Sequence, residues 1–330
     1  MDQKFVKILQ CPKTGADLAL EPSEFYEDGT VKSGVLRCEG GAYPVIDGIP
    51  RFVSAEIYSS SFGYEWKKWS RVQFESDNIG TAMEGHTRRM FDACTGLKGA
   101  ALGGKMAVEF GCGPGRFLDI VREKGGIAVG LDMSGAVEPA RANFQNDRDV
   151  LIIQGDILHP PLKKEVFDLA YSIGVLHHTP DPKAGFLKMA ETVKAGGEVV
   201  CCVYPKEGLY DFPSVRFFRA THNLIAPVLG KKPALAYSQF SARFLHPLTM
   251  LLRRAPILGN RLCDFIEKYL LVILHIPDSR WRVLDTFDAI TPVYASTHTT
   301  EEIMKWFRDA GCADVSLADW GPTSLKGRRT

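Results

Sequence analysis

The sequence predicts an α/β fold, a mostly parallel sheet with helices on both faces. Between Met106 and Pro205, apolar strand patterns alternate with helix patterns, as in the βαβ units of parallel sheets. The first of these strands, 106–110, runs into a glycine-rich turn at 111–115, and a helix pattern begins near Arg116. Because glycine has no Cβ and tolerates positive φ, such a turn lets the backbone approach a ligand closely.

A second predicted strand, 127–131, ends in Asp132, which lies 21 residues after Gly111. An acidic residue about 20 positions beyond a glycine turn is placed to hold the hydroxyls of a ribose. The turn lacks the third glycine of the dinucleotide-binding pattern G-x-G-x-x-G, because that position is Arg116. We therefore expect an adenosine-containing cofactor, and the pattern argues against a dinucleotide.

The glycine turn and four further segments resemble the motifs of class I S-adenosylmethionine (SAM) dependent methyltransferases. Glu109 precedes a G-x-G-x-G run, as in the first motif of that family. Similar motifs follow in the family's order at 130–134, 154–157, 167–178 and 193–200. The resemblance implies a Rossmann-like sheet of seven strands, SAM as the methyl donor and S-adenosylhomocysteine as the product.

The resemblance also assigns cofactor contacts to residues near the ends of these strands. Residues around the glycine turn would hold the methionine half, Asp132 the ribose and Asp156 the adenine amine. The alternatives are a helix cap for Asp132 and a turn-forming role for Asp156. The expected cofactor-binding residues are Tyr64, Glu109, Gly111, Cys112, Gly113, Asp132, Met133, Asp156, Ile157, Ser172 and Ile173.

Residues 1–56 form a candidate separate, strand-rich module. Its segments around Cys11 and Cys38 resemble the Trm112-like and zinc-ribbon modules that occur alone or fused ahead of methyltransferases. A zinc ribbon requires four ligands, but Thr14 and Gly41 stand where the second cysteine of each pair would fall. We expect a metal-free module, with zinc on the two cysteines as the alternative, and the module is also a candidate dimer contact.

Residues 57–105 read as mainly helical and aromatic-rich, with Phe62, Tyr64 and Trp66 near the start. In similar methyltransferases a segment before the first motif folds over SAM as a flap. These aromatic side chains are therefore candidates for cofactor contact, and packing in the core or at a domain seam is the alternative.

Residues 106–330 form the expected methyltransferase domain, with an insertion at about 206–298 that contains helix-like stretches at 244–252 and 262–276. Between Lys206 and Asp285 there are 12 Lys or Arg against 6 Asp or Glu. Insertions at this point lie above the carboxyl ends of the strands, where open α/β sheets bind ligands. We expect either a pocket for an anionic or amphipathic acceptor or a packed helical lid with solvated cations. Basic amphipathic helices would also suit an acidic membrane surface.

By the family resemblance, the chain should close with one helix and a final hairpin of the sheet. Thr299 and Glu302 have the spacing of a helix cap, and the closing strand is predicted at 315–320. Five residues are candidates for the transfer chemistry, with loop structure and lid attachment as the alternative roles. They are His177, His178, Asp288, Tyr294 and His298.

Composition narrows the class of protein. The formal net charge is +1, so no global basic field would attract nucleic acid. No apolar run reaches the roughly 18 residues of a membrane span, and the first residues lack a secretory signal pattern. Eight scattered cysteines suggest reduced thiols, so we expect a cytoplasmic protein.

These observations together predict an enzyme that methylates an oxygen, nitrogen or carbon atom of a small molecule. One alternative is an RNA methyltransferase, because some rRNA enzymes join a zinc-ribbon module to this fold. The other is a non-catalytic SAM-binding subunit that supports a partner protein. The near-zero charge and the missing knuckle cysteines disfavour the first alternative, and the intact glycine turn disfavours the second.

Overall fold

The computed structural model describes residues 1–53, 60–255, 258–273 and 275–330. The chain begins with a short 3₁₀ helix, Gln3–Ile8, and a four-stranded antiparallel sheet. The strands of this small sheet pair in chain order, which confirms a strand-rich start of the chain. They are β1 (Ala19–Phe25), β2 (Val31–Cys38), β3 (Gly41–Ile46) and β4 (Ile49–Pro50).

Two helices follow before the main sheet. These are α1 (Ser60–Lys68) and α2 (His86–Thr95), with turns and a single 3₁₀ turn between them. The predicted helical character of 57–105 holds for these two segments, while residues 57–59 lie outside the described part of the chain.

The central element is a seven-stranded sheet with helices on both sides. Its elements are β5 (Met106–Phe110), α3 (Arg116–Glu123), β6 (Ile127–Asp132), α4 (Val137–Asn143), β7 (Val150–Gln154), β8 (Phe167–Ile173), α5 (Pro182–Glu191), β9 (Val193–Cys202), α11 (Thr300–Asp309), β10 (Cys312–Leu317) and β11 (Ser324–Arg329). The strand order is β10-β11-β9-β8-β5-β6-β7. All the strands are parallel except β11, which runs antiparallel to both neighbours. The predicted seven-stranded, mostly parallel sheet is thus confirmed.

Successive residues of a strand point to opposite sides of the sheet, and in this sheet both sides are buried. On one face, Val108 and Phe110 pack in a core that includes Phe186 of α5 and Phe307 of α11. On the other, the core is shared with α2, α3 and α4, for example through Phe91. Helices therefore cover both faces, as the sequence predicted.

The N-terminal sheet packs directly against the main one. Phe5 and Ile8 belong to the same core as the strands of the large sheet. Backbone bridges join Leu9 to Leu162 and Arg51 to Gln154, at the end of β7. The N-terminal residues thus cover the β7 edge of the large sheet.

In its described residues, the stretch between β9 and α11 has five α-helices over the carboxyl ends of the strands, and we call it the lid. Val215, Phe287 and Ile290 form a core within it. The second helix-like stretch ends at residue 270, so its predicted continuation to 276 is wrong. The helices are α6 (Pro213–Leu229), α7 (Lys232–Phe240), α8 (His246–Leu252), α9 (Leu258–Leu270) and α10 (Ser279–Ile290), with a π-helical segment, Ser241–Leu245, between α7 and α8.

The end of the chain agrees with the sequence at one point and differs at another. Thr299 caps α11 in a reciprocal capping box with Glu302, as predicted. The closing strand was expected at 315–320, but β10 spans 312–317 and the antiparallel β11 follows it. The basic sequence of β11 hid this strand, because it lacks the apolar alternation of a half-buried strand.

Candidate functional site

A cavity of about 540 Å³ lies between the carboxyl ends of the central strands, α1 and the lid. Its volume falls within the roughly 300–1,000 Å³ of small-molecule sites. One part of the wall comes from the glycine turn and the ends of β6 and β8. Another comes from α1 and α10, so the sheet, α1 and the lid line one shared cavity.

The glycine turn adopts backbone that only glycine accepts easily. Gly111 has φ +87°, and a Cβ built there would lie 2.2 Å from Cγ1 of Val175. The amides of Gly111 and Cys112 both donate to the carbonyl of Leu131, at 2.7 and 3.1 Å. The turn is therefore anchored to the end of β6, and these two amides are engaged within the protein.

Asp132 combines a structural role with a place in the cavity wall. One carboxylate oxygen accepts from the Gly113 amide at 2.9 Å, and the other accepts from the amide and hydroxyl of Ser134 at 2.8 and 2.7 Å. Burial raises the pKa of Asp132, while these hydrogen bonds oppose that rise. The oxygen that accepts from Gly113 keeps a second lone pair, so the carboxylate can still accept from a ligand hydroxyl.

Glu109 lies at the floor of the cavity and is 2% exposed. It accepts from the Tyr171 hydroxyl at 3.3 Å. Burial raises its pKa well above the usual range, and the charge of Arg116 opposes this. Arg116 also lines the cavity, with its guanidinium 4.4 Å over the Phe117 ring. Residue 116, where a dinucleotide-binding motif would have its third glycine, thus places a cation beside Glu109.

Helix α1 lies over the glycine turn. A Cβ built on Gly113 would lie 3.2 Å from Nε1 of Trp66, and Phe62 and Trp66 both line the cavity. Tyr64, the expected cofactor contact, does not. It is 37% exposed, and its ring packs 5.8 Å from that of Phe287 in the lid. The period of the helix explains the difference, because residue 64 points away from the face that carries 62 and 66.

Two cofactor contacts were expected just after β7 and two at the end of β8, and one residue of each pair lines the cavity. Ile157 and Ile173 line the cavity. Asp156 instead accepts from the Leu158 amide at 2.9 Å and pairs with His159, so it serves the turn. Ser172 is fully buried and donates to the Phe110 carbonyl at 2.8 Å. Neither Asp156 nor Ser172 lines the cavity, and their expected cofactor contacts stay predictions.

His178 is the better placed of the two adjacent histidines. It lines the cavity and is 5% exposed. Its Nδ1 lies 2.9 Å from the backbone carbonyl of Tyr294, which can only accept, so Nδ1 carries the proton. Among the described residues, Nε2 has no hydrogen-bond partner. Burial lowers the pKa of His178, so its ring is neutral at pH 7 with a free lone pair on Nε2.

The other candidates divide between the cavity and the framework around it. Asp288 lines the cavity and accepts from the Tyr204 hydroxyl at 2.8 Å. His177 is fully buried and packs its ring 3.6 Å from that of Tyr204, outside the cavity wall. Tyr294 supplies its carbonyl, while its side chain is 41% exposed. His298 contacts Ser296 and Glu302, so it attaches the returning chain.

Three carboxyl groups, one from α1 and two from α10, lie together in the cavity wall. Glu65 of α1 is fully buried, and neither of its carboxyl oxygens has a hydrogen-bond partner among the described residues. Burial, with Asp288 and Asp285 nearby, raises its pKa well above the usual range. The same causes, burial first and then Asp288, raise the pKa of Asp285 to about 7. We call Glu65, Asp285 and Asp288 the acidic trio.

Sequence reasoning missed much of this wall. Glu65 lies in a segment where the sequence pointed only to the aromatic residues. Asp285 lies at the end of a stretch in which basic residues outnumber acidic ones. The basic residues that motivated an anionic acceptor lie mostly on the outer face of the lid, where Arg216, Arg243 and Arg261 are exposed. The helical spacing of Trp281, Leu284, Asp285 and Asp288 was the available signal for a shared helix face.

The thiols were expected to be reduced, and all eight cysteines are free. Cys11 Sγ lies 3.2 Å from the Tyr43 hydroxyl in the N-terminal sheet. Within the described ranges, no group of three or more His, Cys, Asp or Glu side chains is arranged to hold a metal ion. The expectation of a metal-free module stays a prediction.

A family comparison bears directly on this site. Residues 108–201, from β5 through the glycine turn to β9, match the family model described as a methyltransferase domain. This stretch therefore resembles a methyltransferase domain. Its match includes Glu109, the glycine turn, Asp132 and His178, and SAM is the cofactor of this class of domain.

Relatives of known name agree with this result. The demethylmenaquinone methyltransferase of Roseiflexus castenholzii is 29% identical over 157 residues, which cover 45% of this chain and 66% of that protein. A ubiquinone biosynthesis O-methyltransferase of Pseudomonas aeruginosa is 28% identical over 103 residues, 30% of this chain and 44% of that protein. The chain thus spans less than two thirds of the length of these relatives. Their names support a SAM-dependent methyltransferase.

Solved structures resemble the chain only distantly. A complex of the Haloferax volcanii Trm112 methyltransferase activator with a methyltransferase overlays with a TM-score of 0.46 at 16% identity, covering 83% of this chain and 99% of that one. A SAM-dependent methyltransferase from Mesorhizobium loti gives a TM-score of 0.33 at 29% identity, covering 41% and 59%. The strand order, rather than these overlays, establishes the fold.

The cavity wall fits SAM. Asp132 offers an acceptor for hydroxyls, and Met133 and Ile157 provide an apolar slot beside it. Glu109 offers a carboxyl group, which suits an amino group, and the Arg116 guanidinium suits a carboxylate. The cavity wall therefore has donors and acceptors of the kinds that SAM requires.

Proposed function

We propose that this chain is a SAM-dependent methyltransferase acting on a small molecule that binds beneath the lid. The observation that carries the proposal is that one cavity joins the glycine turn to α1 and α10. An acceptor beside His178 and the acidic trio would share that space with the cofactor. When bound, SAM supplies an electrophilic methyl group on a sulfonium centre.

The residues of the site would align the acceptor and take its proton. His178 is held by the Tyr294 carbonyl, so the Nε2 lone pair has a fixed direction. An acceptor hydroxyl or amine beside it would give its proton to Nε2 as the nucleophile forms its new bond to carbon. Phe62, whose ring lies 5.1 Å from that of His178, would help exclude water.

Replacement of His178 by asparagine tests this role. The amide of asparagine can still donate to the Tyr294 carbonyl, but it offers no basic nitrogen. We expect kcat to fall by roughly 100-fold or more, the usual contribution of a general base. The kcat of the wild type should fall only when the pH drops below 6.5, because burial lowers the pKa of His178 and only the neutral ring accepts a proton.

Methyl transfer from labelled SAM to a metabolite extract is the assay, with products identified by mass. His159→Asn, which changes an exposed histidine outside the cavity, is the control. Wild-type activity in His178→Asn would remove His178 from the mechanism. A wild-type protein that binds neither SAM nor S-adenosylhomocysteine in calorimetry would contradict the proposed function itself.

An RNA methyltransferase remains the alternative with a direct test. The acceptor end is roofed by the lid, and five lining residues are carboxylic acids, which offer no positive charge to a phosphate backbone. These features favour a small molecule. Label that appears in RNA and in no metabolite would reverse this ranking. A non-catalytic SAM-binding subunit would bind SAM and label neither.

The outer face of the lid is a candidate membrane contact. Phe244 and Leu251 are 64% and 60% exposed, and Phe265 of α9 is 54% exposed. Exposed Arg243 and Arg261 lie on the same helical segments. Apolar and basic residues together suit the surface of an acidic bilayer, and we propose peripheral binding there. No helix in the described part of the chain is long and apolar enough to span a membrane.

Vesicle sedimentation tests this contact. The protein should sediment with vesicles containing acidic phospholipid and much less with neutral ones, and Phe244→Ser with Phe265→Ser should release it. Equal binding by that double variant would contradict the proposal. A Trm112-like role for the N-terminal sheet, dimer formation through it and a cytoplasmic location also stay predictions.

A further inference from the structure

The acidic trio brings together carboxyl groups from two different helices. Glu65 comes from α1, and Asp285 and Asp288 come from α10. The cations that act on them are Arg116 of α3, Lys231 next to α7 and Arg219 of α6, which interacts with Asp288. Arg116 also faces Glu109, so one buried guanidinium serves several carboxyl groups.

Glu65 makes this more than a cluster of acids. It is fully buried and lines the cavity, and neither carboxyl oxygen is satisfied by a described residue. A buried polar group without a partner costs free energy, of the order of 1–3 kcal/mol and more for a charged group. Proteins generally satisfy such groups, so an orphan pair of oxygens that faces a cavity indicates a ligand that donates to them.

The surrounding wall is aromatic. Tyr204 and Tyr210 stack with ring centroids 3.3 Å apart, and the Tyr204 hydroxyl is oriented by Asp288. Trp281 lines the same cavity from α10. Aromatic faces and carboxylates together recognise organic cations, because both attract positive charge while the rings also pack on carbon.

We propose that the acceptor carries a basic nitrogen, bound as an ammonium group by Glu65, Asp285 and Asp288. This rests on the proposed methyltransferase function and names its substrate class. The nitrogen serves for recognition, and the methylated atom lies within reach of His178. A purely anionic acceptor is disfavoured, because the trio would repel it.

The test uses three ligands with one carbon skeleton and different charge. They are phenethylamine, 2-phenylethanol and phenylacetate, titrated by calorimetry into the full chain saturated with S-adenosylhomocysteine. We expect phenethylamine to bind at least tenfold more tightly than the alcohol and phenylacetate to bind least. Equal or tighter binding of the alcohol or the acid would overturn the proposal.

Substitutions in the acidic trio test whether these residues cause the preference for phenethylamine. Glu65→Gln keeps the shape of the side chain and should weaken phenethylamine by roughly tenfold, the value of a charged hydrogen bond, with the alcohol unchanged. Asp285→Asn should act in the same direction, which covers the case that Glu65→Gln does not fold. Asp264→Asn, an exposed acid of α9, is the matched control and should leave binding unchanged.

Two further readouts separate the possible failures. If Glu65→Gln weakens S-adenosylhomocysteine as strongly as phenethylamine, Glu65 belongs to the cofactor site and the proposal is wrong. Absence of S-adenosylhomocysteine binding in the wild type would instead contradict the proposed function. Phenethylamine affinity should rise as pH increases through 7, because Asp285, faced by Asp288, Glu65 and Arg116, loses its proton there.

Discussion

Replacement of Asp132 by asparagine tests the assignment of the cofactor end most directly. Asparagine can keep the two hydrogen bonds from Ser134 through its carbonyl oxygen. Its amide group would then face the Gly113 amide, where two donors meet in place of the present 2.9 Å hydrogen bond. The substitution therefore removes one internal acceptor and one acceptor for a ribose hydroxyl, with little change in volume.

The expected loss follows from hydrogen bonds to a charged group, which contribute about 1.5–3 kcal/mol each. One such bond to the ribose corresponds to roughly a 10- to 100-fold increase in the Kd of S-adenosylhomocysteine. Calorimetry measures this directly. Wild-type affinity should also weaken as the solution is acidified, with a midpoint above pH 3.8, because burial raises the pKa of Asp132 and binding requires its ionised form.

Ser134→Ala separates the two roles of Asp132. It removes the internal 2.7 Å hydrogen bond and leaves the carboxylate in place. We expect a loss of about 1 kcal/mol in the free energy of unfolding and an affinity within threefold of wild type. If Ser134→Ala weakens binding as much as Asp132→Asn, Asp132 acts only by holding the turn. Unchanged affinity in Asp132→Asn would refute the assignment altogether.

Two other substitutions test the backbone and the lid. Gly111→Ala should lower Tm by several degrees, since it combines positive φ with a 2.2 Å contact to Val175, at a cost of about 3 kcal/mol or more. Gly99→Ala, with φ +68° and no neighbour within 4 Å, isolates the strain alone and should cost less, and equal losses in thermal unfolding would contradict the clash. Asp285→Asn should raise stability at pH 8 and much less at pH 5 in urea unfolding. The folded-state pKa of about 7 lies above the usual value near 3.8, so the folded protein binds more protons between pH 4 and 7 and loses stability as pH rises through that window. No difference at pH 8 would contradict this.

Local sequence was sufficient for the elements that determine the fold. The glycine turn, the apolar strands and the capping box at Thr299 each depend on neighbours within a few positions. Asp132 and Asp156 show where this ends, because both are acidic residues beyond a predicted strand. Only the folded chain distinguishes them. The Asp132 carboxylate accepts from the amide of Gly113 in the glycine turn, whereas the Asp156 carboxylate accepts from an amide of its own loop.

The histidine pair shows the same limit. His177 and His178 are adjacent and chemically identical, and the sequence offered no basis for choosing between them. The choice depends on Tyr294, far along the chain, whose carbonyl fixes the ring of His178. His177 is instead packed under Tyr204. Long-range contacts decide the role of each ring, so no local pattern could assign it.

Helix α10 explains how the chain can maintain an acidic cavity wall. Phe287 and Ile290 lie in the apolar core of the lid. Leu284, Asp285 and Asp288 line the cavity, at a spacing that puts them on one face. Burial of Phe287 and Ile290 thus holds the two acids in an environment that raises the pKa of Asp285, and Glu65 of α1 meets them from the other side. Replacing buried charged groups by apolar residues is often neutral or stabilising, so stability alone gives no reason for three acids there. Recognition of a positively charged acceptor does give one.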